Sequence, residues 1–378
     1  MVKEVETTAL VFLAQYSLRE GVSMFGNKAM EAVKEELKGI VENAVWDPTR
    51  WKDVPKQVRK KMIPTKVIMA PQIIAGVLDR LKGRLVVLGN LEKEDDRNIR
   101  APTPSIVTVM IQAARAAAEE RHVITFDVSQ AFLNASIDDD RTYIRLPKKI
   151  SEILLSIYPD YKEFAYEDGT IIIKLLKALY GFRRAPKLWR DTFVAVLLAN
   201  DYNESTADEC LYIKFYDDGT STDASVHVHD GFLTTSNMME AEMLLTELGK
   251  IFKLKVSRGD NINFIGLQFD FNRTTRDVSI IQPGYVSKIL GDDIYKMVET
   301  PHTAELFSIN DNAERLCDDN REKFHATVAR CLYLALTTRP DILVATFFFQ
   351  LGLRKGLQQL RIGENLIDYV AIYDLLCI

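Results

Sequence analysis

Apolar positions along the chain change period several times, and each change marks a boundary between elements. Across residues 28–41, Met30, Val33, Leu37 and Val41 recur at helical spacing, which predicts an amphipathic helix with Gly39 near its end. Upstream, Ser17-Leu18-Arg19-Glu20 has the Ser-x-x-Glu form of a capping box. Trp46-Asp47-Pro48 reads as a break after that helix. The pattern then shortens to β-type runs, Val67-Ile68-Met69, Ile73-Ile74 and Leu85-Val86-Val87-Leu88, punctuated by basic residues. Residues 91–100 are polar and predict a loop. Residues 106–118, rich in alanine, predict a helix that feeds a β-branched and aromatic strand ending at Asp127.

Further on, Asp138-Asp139-Asp140-Arg141 predicts a surface turn, and strands are expected over 142–146 and 171–176. A loop over 178–186 leads into a helix over 187–198. Residues 210–216 and 225–233 predict a hairpin closed by Asp217-Asp218-Gly219, whose Asp-Gly pair favours a tight turn. Within the second run, the strand breaks again at His227-Val228-His229-Asp230, so two short apolar strands meet there. A helix over 239–252, a second hairpin from 262–271 and 278–281, and a helix over 328–337 complete the pattern. Strands and helices are intermixed and hairpins join several strands, which predicts an α+β fold with an antiparallel sheet.

The chain has 378 residues, 47% apolar and 27% charged, enough for two or three domains or one elaborated domain. A net charge of −5 gives no global positive field to attract a polyanion, so phosphate contacts would have to come from local clusters. Four scattered cysteines (Cys210, Cys317, Cys331, Cys377) without a Cys-x-x-Cys pair favour a reducing, intracellular setting. The acidic start Met1-Val2-Lys3-Glu4-Val5-Glu6 makes a poor signal peptide, and no apolar run reaches membrane-spanning length.

The chemistry concentrates at two strand ends. Asp127 and Asp230, if a sheet brings them together, form a seat for a hard divalent cation bound through oxygen. His229 brings nitrogen into that seat, a donor that suits zinc and other transition ions better than magnesium. Two further readings stand beside this one. His227 and His229 could form a zinc pair, because residues two apart on a strand share a face. Asp217-Asp218 could be an acid pair, although the polar residues 220–223 after it argue for a solvated hairpin tip over a buried strand.

In order along residues 28–345, the motifs resemble the reverse transcriptase domain of copia-type LTR retrotransposons. Lys82-Gly83-Arg84-Leu85-Val86 looks like the family's fingers segment. Asp127-Val128-Ser129-Gln130-Ala131-Phe132-Leu133-Asn134 looks like the motif bearing the first catalytic acid. Leu179-Tyr180-Gly181-Phe182-Arg183-Arg184-Ala185-Pro186-Lys187-Leu188-Trp189 is similar to the family's Leu-Tyr-Gly-Leu-Lys-Gln-Ala-Pro-x-x-Trp. Phe264-Ile265-Gly266-Leu267 resembles the primer-grip hairpin, and Leu332-Tyr333-Leu334 with Thr337-Thr338-Arg339-Pro340-Asp341 the closing signature. The departure is at His227-Val228-His229-Asp230, where the family has Tyr-Val-Asp-Asp.

The resemblance implies a palm of antiparallel sheet backed by helices, with fingers and a partial helical thumb or connection region. It implies a helical leader over 1–44, fingers and palm over 45–272, a thumb-like region over 273–350 and a truncated tail over 351–378. Mg²⁺ or Mn²⁺ would sit on Asp127 and Asp230, with His229 at the place of a family Asp. Lys82, Arg84, Phe132, Tyr180 and Gly181 would hold the nucleotide. Arg183, Arg184, Lys187, Phe264 and Gly266 would hold the template-primer, with Arg190 extending the cationic ledge. The partners would be an RNA or DNA template-primer and dNTPs, with RNase H and integrase domains of the same element outside this chain. The setting would be cytoplasmic, in virus-like particles, or nuclear. With nitrogen replacing one carboxylate, the rate is expected to fall about 10²–10⁴-fold, as on loss of one electrostatic stabiliser. A non-catalytic nucleic-acid-binding remnant and a zinc-dependent hydrolase on His227 and His229 are the alternatives.

Overall fold

The computed structural model describes residues 15–74, 77–91, 99–137, 141–290 and 317–355. Two six-stranded sheets and one three-stranded sheet alternate with helices, so the α+β expectation holds. The central sheet is antiparallel throughout and runs in the order Leu254–Arg258, His122–Val128, Asp230–Thr235, Ser221–His227, Leu211–Phe215, Asn203–Glu204. Helices Ala185–Ala199 and Met238–Ile251 contribute Trp189, Phe193, Leu197, Leu244 and Leu248 to the core on one face. Helix Ile106–Ala118, bounded as its alanine-rich pattern predicts, covers the other face together with the three-stranded sheet Asn261–Phe264, Leu267–Asn272, Asp277–Ile281.

The second six-stranded sheet carries a long hairpin, Ile63–Ile74 with Val77–Val87. The three short β-type runs of the sequence are pieces of its two strands. Along 81–89 buried and exposed positions alternate, so Lys82, Arg84 and Val86 lie on the face opposite Leu81, Leu85 and Val87. The capping box at Ser17 and Glu20 is formed, with the Ser17 amide donating to Glu20 Oε2 at 2.7 Å. The helix Asn27–Glu42 packs into the main core. It buries Ala29, Ala32, Val33, Leu37 and Ile40 in the main core, while Met30 and Val41 are only partly covered.

Three local expectations are corrected. Trp46–Thr49 is a strand paired with Ile171–Leu175, because Pro48 sits at a sheet edge, where a missing N–H costs no ladder bond. Residues 261–281 hold two hairpins rather than one, since Ile265-Gly266, both at positive φ, turn the chain tightly between Phe264 and Leu267. A boundary at residue 272 would therefore cut a paired sheet, and a distinct helical core begins at Pro283–Leu290 with Asp318–Thr337 and Leu343–Lys355. The turn expected at 138–140 and most of the loop at 91–100 lie outside the described residues, as does 356–378 of the tail.

The third correction is the segment after Asp217-Asp218-Gly219. The Asp-Gly turn forms as expected, but Ser221, Thr222 and Asp223 continue as a buried strand. Their polar groups are satisfied from inside. Arg121, 1% exposed, donates to Ser221 and lies 3.2 Å from Asp223, while Arg115 pairs with the same carboxylate at 3.0 Å. Gln112 bridges Asp223 O, Phe232 O and Ser225 Oγ across the sheet. Glu119 still accepts from Arg121 Nε at 2.7 Å, so loss of Asp223 removes one of two carboxylate partners of a buried guanidinium. Asp223→Ala should lower stability by about 1–3 kcal/mol, read as a reduced urea midpoint at unchanged slope, with Asp223→Asn losing less.

Candidate metal and nucleotide site

The site is a row across four strands. In register, Lys255 faces Asp127, Asp127 faces Asp230, and Asp230 faces His227. The row exists because Asp230–Thr235 pairs antiparallel with His122–Val128 over six positions. Packing fixes that register. A Cβ on Gly231 would meet Phe126 Cζ at 2.0 Å, so only glycine lets the Phe126 ring lie across the strand beside Asp230. Phe126 in turn stacks on Phe193, which packs with Trp189 and Phe252.

His227 ends its strand, Asp230 begins the next, and Val228-His229 form the two-residue turn. Val228 takes φ +50, unusual for a β-branched residue, and the turn is clamped from two sides. Trp189 Nε1 donates to Val228 O, and the Val128 amide donates to His229 O at 2.8 Å. The turn carries His229 out of the strand that His227 ends. Among the described residues, the metal-capable group is Asp127, His229 and Asp230, with one donor atom from each within 4.8 Å of the others.

His229 Nε2 lies 3.8 Å from Asp127 Oδ1 and 3.6 Å from Asp230 Oδ2. Burial, with the Asp127 charge adding to it, raises the Asp230 carboxyl above its ordinary range, against the pull of His229 and His227. Two acids held this close repel, and a divalent cation relieves both. The donor set fits such an ion. Burial lowers His227, whose Nδ1 is buried without a hydrogen-bond partner among the described residues. Lys255 Nζ approaches Asp127 Oδ2 at 3.9 Å from a side chain 76% exposed. Neither Lys255 nor the His227 pairing was legible in the sequence, because cross-strand register leaves no local signal.

Several expected nucleotide-side residues gather around Asp127. Burial lowers the Lys82 ammonium, helped by Arg84, Arg80 and Lys255, while Asp127 opposes the shift. Arg84 lies over the Tyr180 ring at 5.3 Å, and Tyr180 meets Phe132 edge-on at 5.4 Å. Gly181 takes φ +80, and a Cβ there would fall 2.2 Å from Val87 O. Its close backbone approach is to this chain's own hairpin, where the Val87 amide donates to Tyr180 O at 2.8 Å.

The cationic ledge divides between one buried residue and partly exposed ones that pair with nearby carboxylates. Arg184 is 3% exposed and lies against the Phe182 ring, so it cannot present its charge to a phosphate. Lys187 pairs with Asp191, and Arg190 with Glu204 at 2.9 Å. Arg183 stays partly exposed. Phe264 is buried, stacked on Phe232 at 5.4 Å, and supports the hairpin rather than its contact surface. Gly266 sits at the hairpin turn, with nothing near its missing side chain.

Residues 46–303 match the family described as "Reverse transcriptase (RNA-dependent DNA polymerase)". Over 332 residues the chain is 24% identical to the "Retrovirus-related Pol polyprotein from transposon TNT 1-94" of Nicotiana tabacum, covering 84% of this chain and 23% of that one. Over 313 residues it is 21% identical to the "Transposon Ty1-NL2 Gag-Pol polyprotein" of Saccharomyces cerevisiae, covering 79% of this chain and 16% of that one. The chain thus spans less than a quarter of the length of either relative. A solved structure of the foamy viral protease-reverse transcriptase in complex with RNA/DNA hybrid aligns with 91% of this chain and 37% of that one, at TM-score 0.48 and 11% identity.

Beneath the Arg84–Tyr180 pair, Glu36 accepts from the Leu85 amide at 3.1 Å. Burial pushes its carboxyl up to about 7, against Leu85 and Arg84, which both lower it. The folded protein therefore holds this proton at pH values where the unfolded chain has released it. Stability from this group is fully present below its ordinary value near 4.5 and is lost as pH rises through about 7. Glu36→Gln keeps an acceptor for Leu85 without the charge. Thermal melts should show the variant gaining on wild type between pH 5 and pH 8, whereas a pH-independent difference would contradict the assignment.

Proposed function

The chain belongs to the reverse transcriptase (RNA-dependent DNA polymerase) family, of the copia type; from that premise we propose that it is a template-directed nucleotidyl transfer domain whose cation seat is impaired by His229. The observation that carries this reading is the register pairing of Asp127 with Asp230, with His229 donating into the same corner.

Asp127 and Asp230 would hold Mg²⁺ or Mn²⁺. When bound, the ion supplies activation of a primer hydroxyl and neutralisation of charge on the transferring phosphoryl group. Lys82 and Arg84 reach toward the triphosphate, for which arginine's planar fork is suited. Phe132 and Tyr180 wall the sugar and base of the incoming dNTP. Arg183 and the hairpin tip at Gly266 face an RNA or DNA template-primer, giving affinity without sequence choice. In this assignment the sheet carrying Ile63–Ile74 and Val77–Val87 is the fingers, and the Asp127 sheet is the palm. The three-stranded sheet is the primer grip, and the helical core from Pro283 begins the thumb. Such substrates place its work inside the cell, in cytoplasmic particles or the nucleus, alongside RNase H and integrase activities of the same element.

A second reading, a template-primer-binding domain without polymerisation, is favoured by the imidazole nitrogen itself, which stands within 4 Å of both carboxylates. Primer extension on poly(rA)/oligo(dT) with Mg²⁺ or Mn²⁺ tests both. His229→Asp should extend primers about 10²–10⁴-fold faster than wild type. Salt-sensitive binding by wild type with no extension in either metal supports the second reading, and equal rates in both proteins would contradict the site assignment.

A further inference from the structure

The donor set at the Asp127–Asp230 corner decides which ion it prefers. His229 Nε2 lies 3.6 Å from Asp230 Oδ2 and 3.8 Å from Asp127 Oδ1. Ligand atoms about 2.0–2.2 Å from a tetrahedral ion stand roughly 3.4 Å from one another. The nitrogen is thus close to bonding separation from both oxygens before any ion arrives. Its main chain has little freedom to swing away, because Val128 and Trp189 hold the turn at His229 O and Val228 O.

Magnesium asks for oxygen ligands in near-octahedral geometry and sheds water reluctantly. An imidazole beside two carboxylates favours later first-row ions, whose affinity for mixed nitrogen and oxygen sites rises along the series. We infer that this seat selects a zinc-class divalent ion over magnesium, with His229 Nε2 as its nitrogen ligand. The inference rests on the reading of Asp127 and Asp230 as cation ligands. It makes His229 a selector of the ion as well as a lost carboxylate: the seat binds a zinc-class ion more tightly than magnesium.

Co²⁺ is a visible stand-in for Zn²⁺, so the chelator-stripped full chain is titrated with Co²⁺, followed by absorption and calorimetry, with Zn²⁺ and Mg²⁺ as competitors. Wild type should bind Co²⁺, release it to stoichiometric Zn²⁺ and retain it against a roughly 100-fold excess of Mg²⁺. His229→Ala should weaken Co²⁺ by at least about 10-fold, and His229→Asp should let Mg²⁺ compete. His229 is half exposed in a turn, and matching melts will show that both variants fold. Unchanged Co²⁺ affinity in His229→Ala, with loss in Asp127→Asn, would overturn nitrogen selection and leave the carboxylate seat standing. Equal Co²⁺ binding in wild type, Asp127→Asn and Asp230→Asn would remove the seat itself.

Discussion

Everything at the site depends on the register between His122–Val128 and Asp230–Thr235. In a sheet, a slip of one residue sends every side chain to the opposite face, so the two acids meet in one register only. The restraints on that register are apolar and far from the charges. Phe126 occupies the space a side chain at Gly231 would need, and Phe193, Trp189 and Phe252 hold Phe126 in place. The indole N–H of Trp189 then reaches the Val228 carbonyl, so one core residue both anchors a helix and shapes the turn that projects His229. Hydrophobic packing thereby positions a polar site that would otherwise repel itself.

The electrostatics follow from the same register. Lys255, Asp127, Asp230 and His227 form a row in which the outer groups are basic or neutral and the inner pair acidic. Lys82 and Arg84 overlook this row from the neighbouring hairpin, and the Tyr180–Gly181 backbone docks that hairpin through Val87. A protein with net charge −5 can therefore concentrate cations at one place. Local placement, not overall charge, decides whether a polyphosphate is attracted.

Local patterns were readable where one element satisfies itself. The helix Ile106–Ala118, the Asp-Gly turn and the strand ending near Asp127 follow from periodicity and turn chemistry alone. What failed were residues whose partners are distant in sequence. Ser221–Asp223 read as solvated because nothing local reveals Arg121 and Gln112 beneath them. Arg184 read as a surface cation, although its guanidinium lies buried against Phe182. Pro48 read as a breaker because an edge position cannot be seen without the sheet. The acids and His229 were legible from motif order, whereas Lys255 and the facing His227 required the register.

Strand pairing gathers Asp127, His229 and Asp230 into one candidate cation seat. Paramagnetic broadening of backbone amide resonances by substoichiometric Mn²⁺ tests it most directly, because the effect reports proximity to the bound ion. Val128, His229, Asp230 and Gly231 should broaden first and together. Broadening that begins at Asp217–Gly219, or spreads evenly over exposed acids while the Asp127 corner stays sharp, would contradict it.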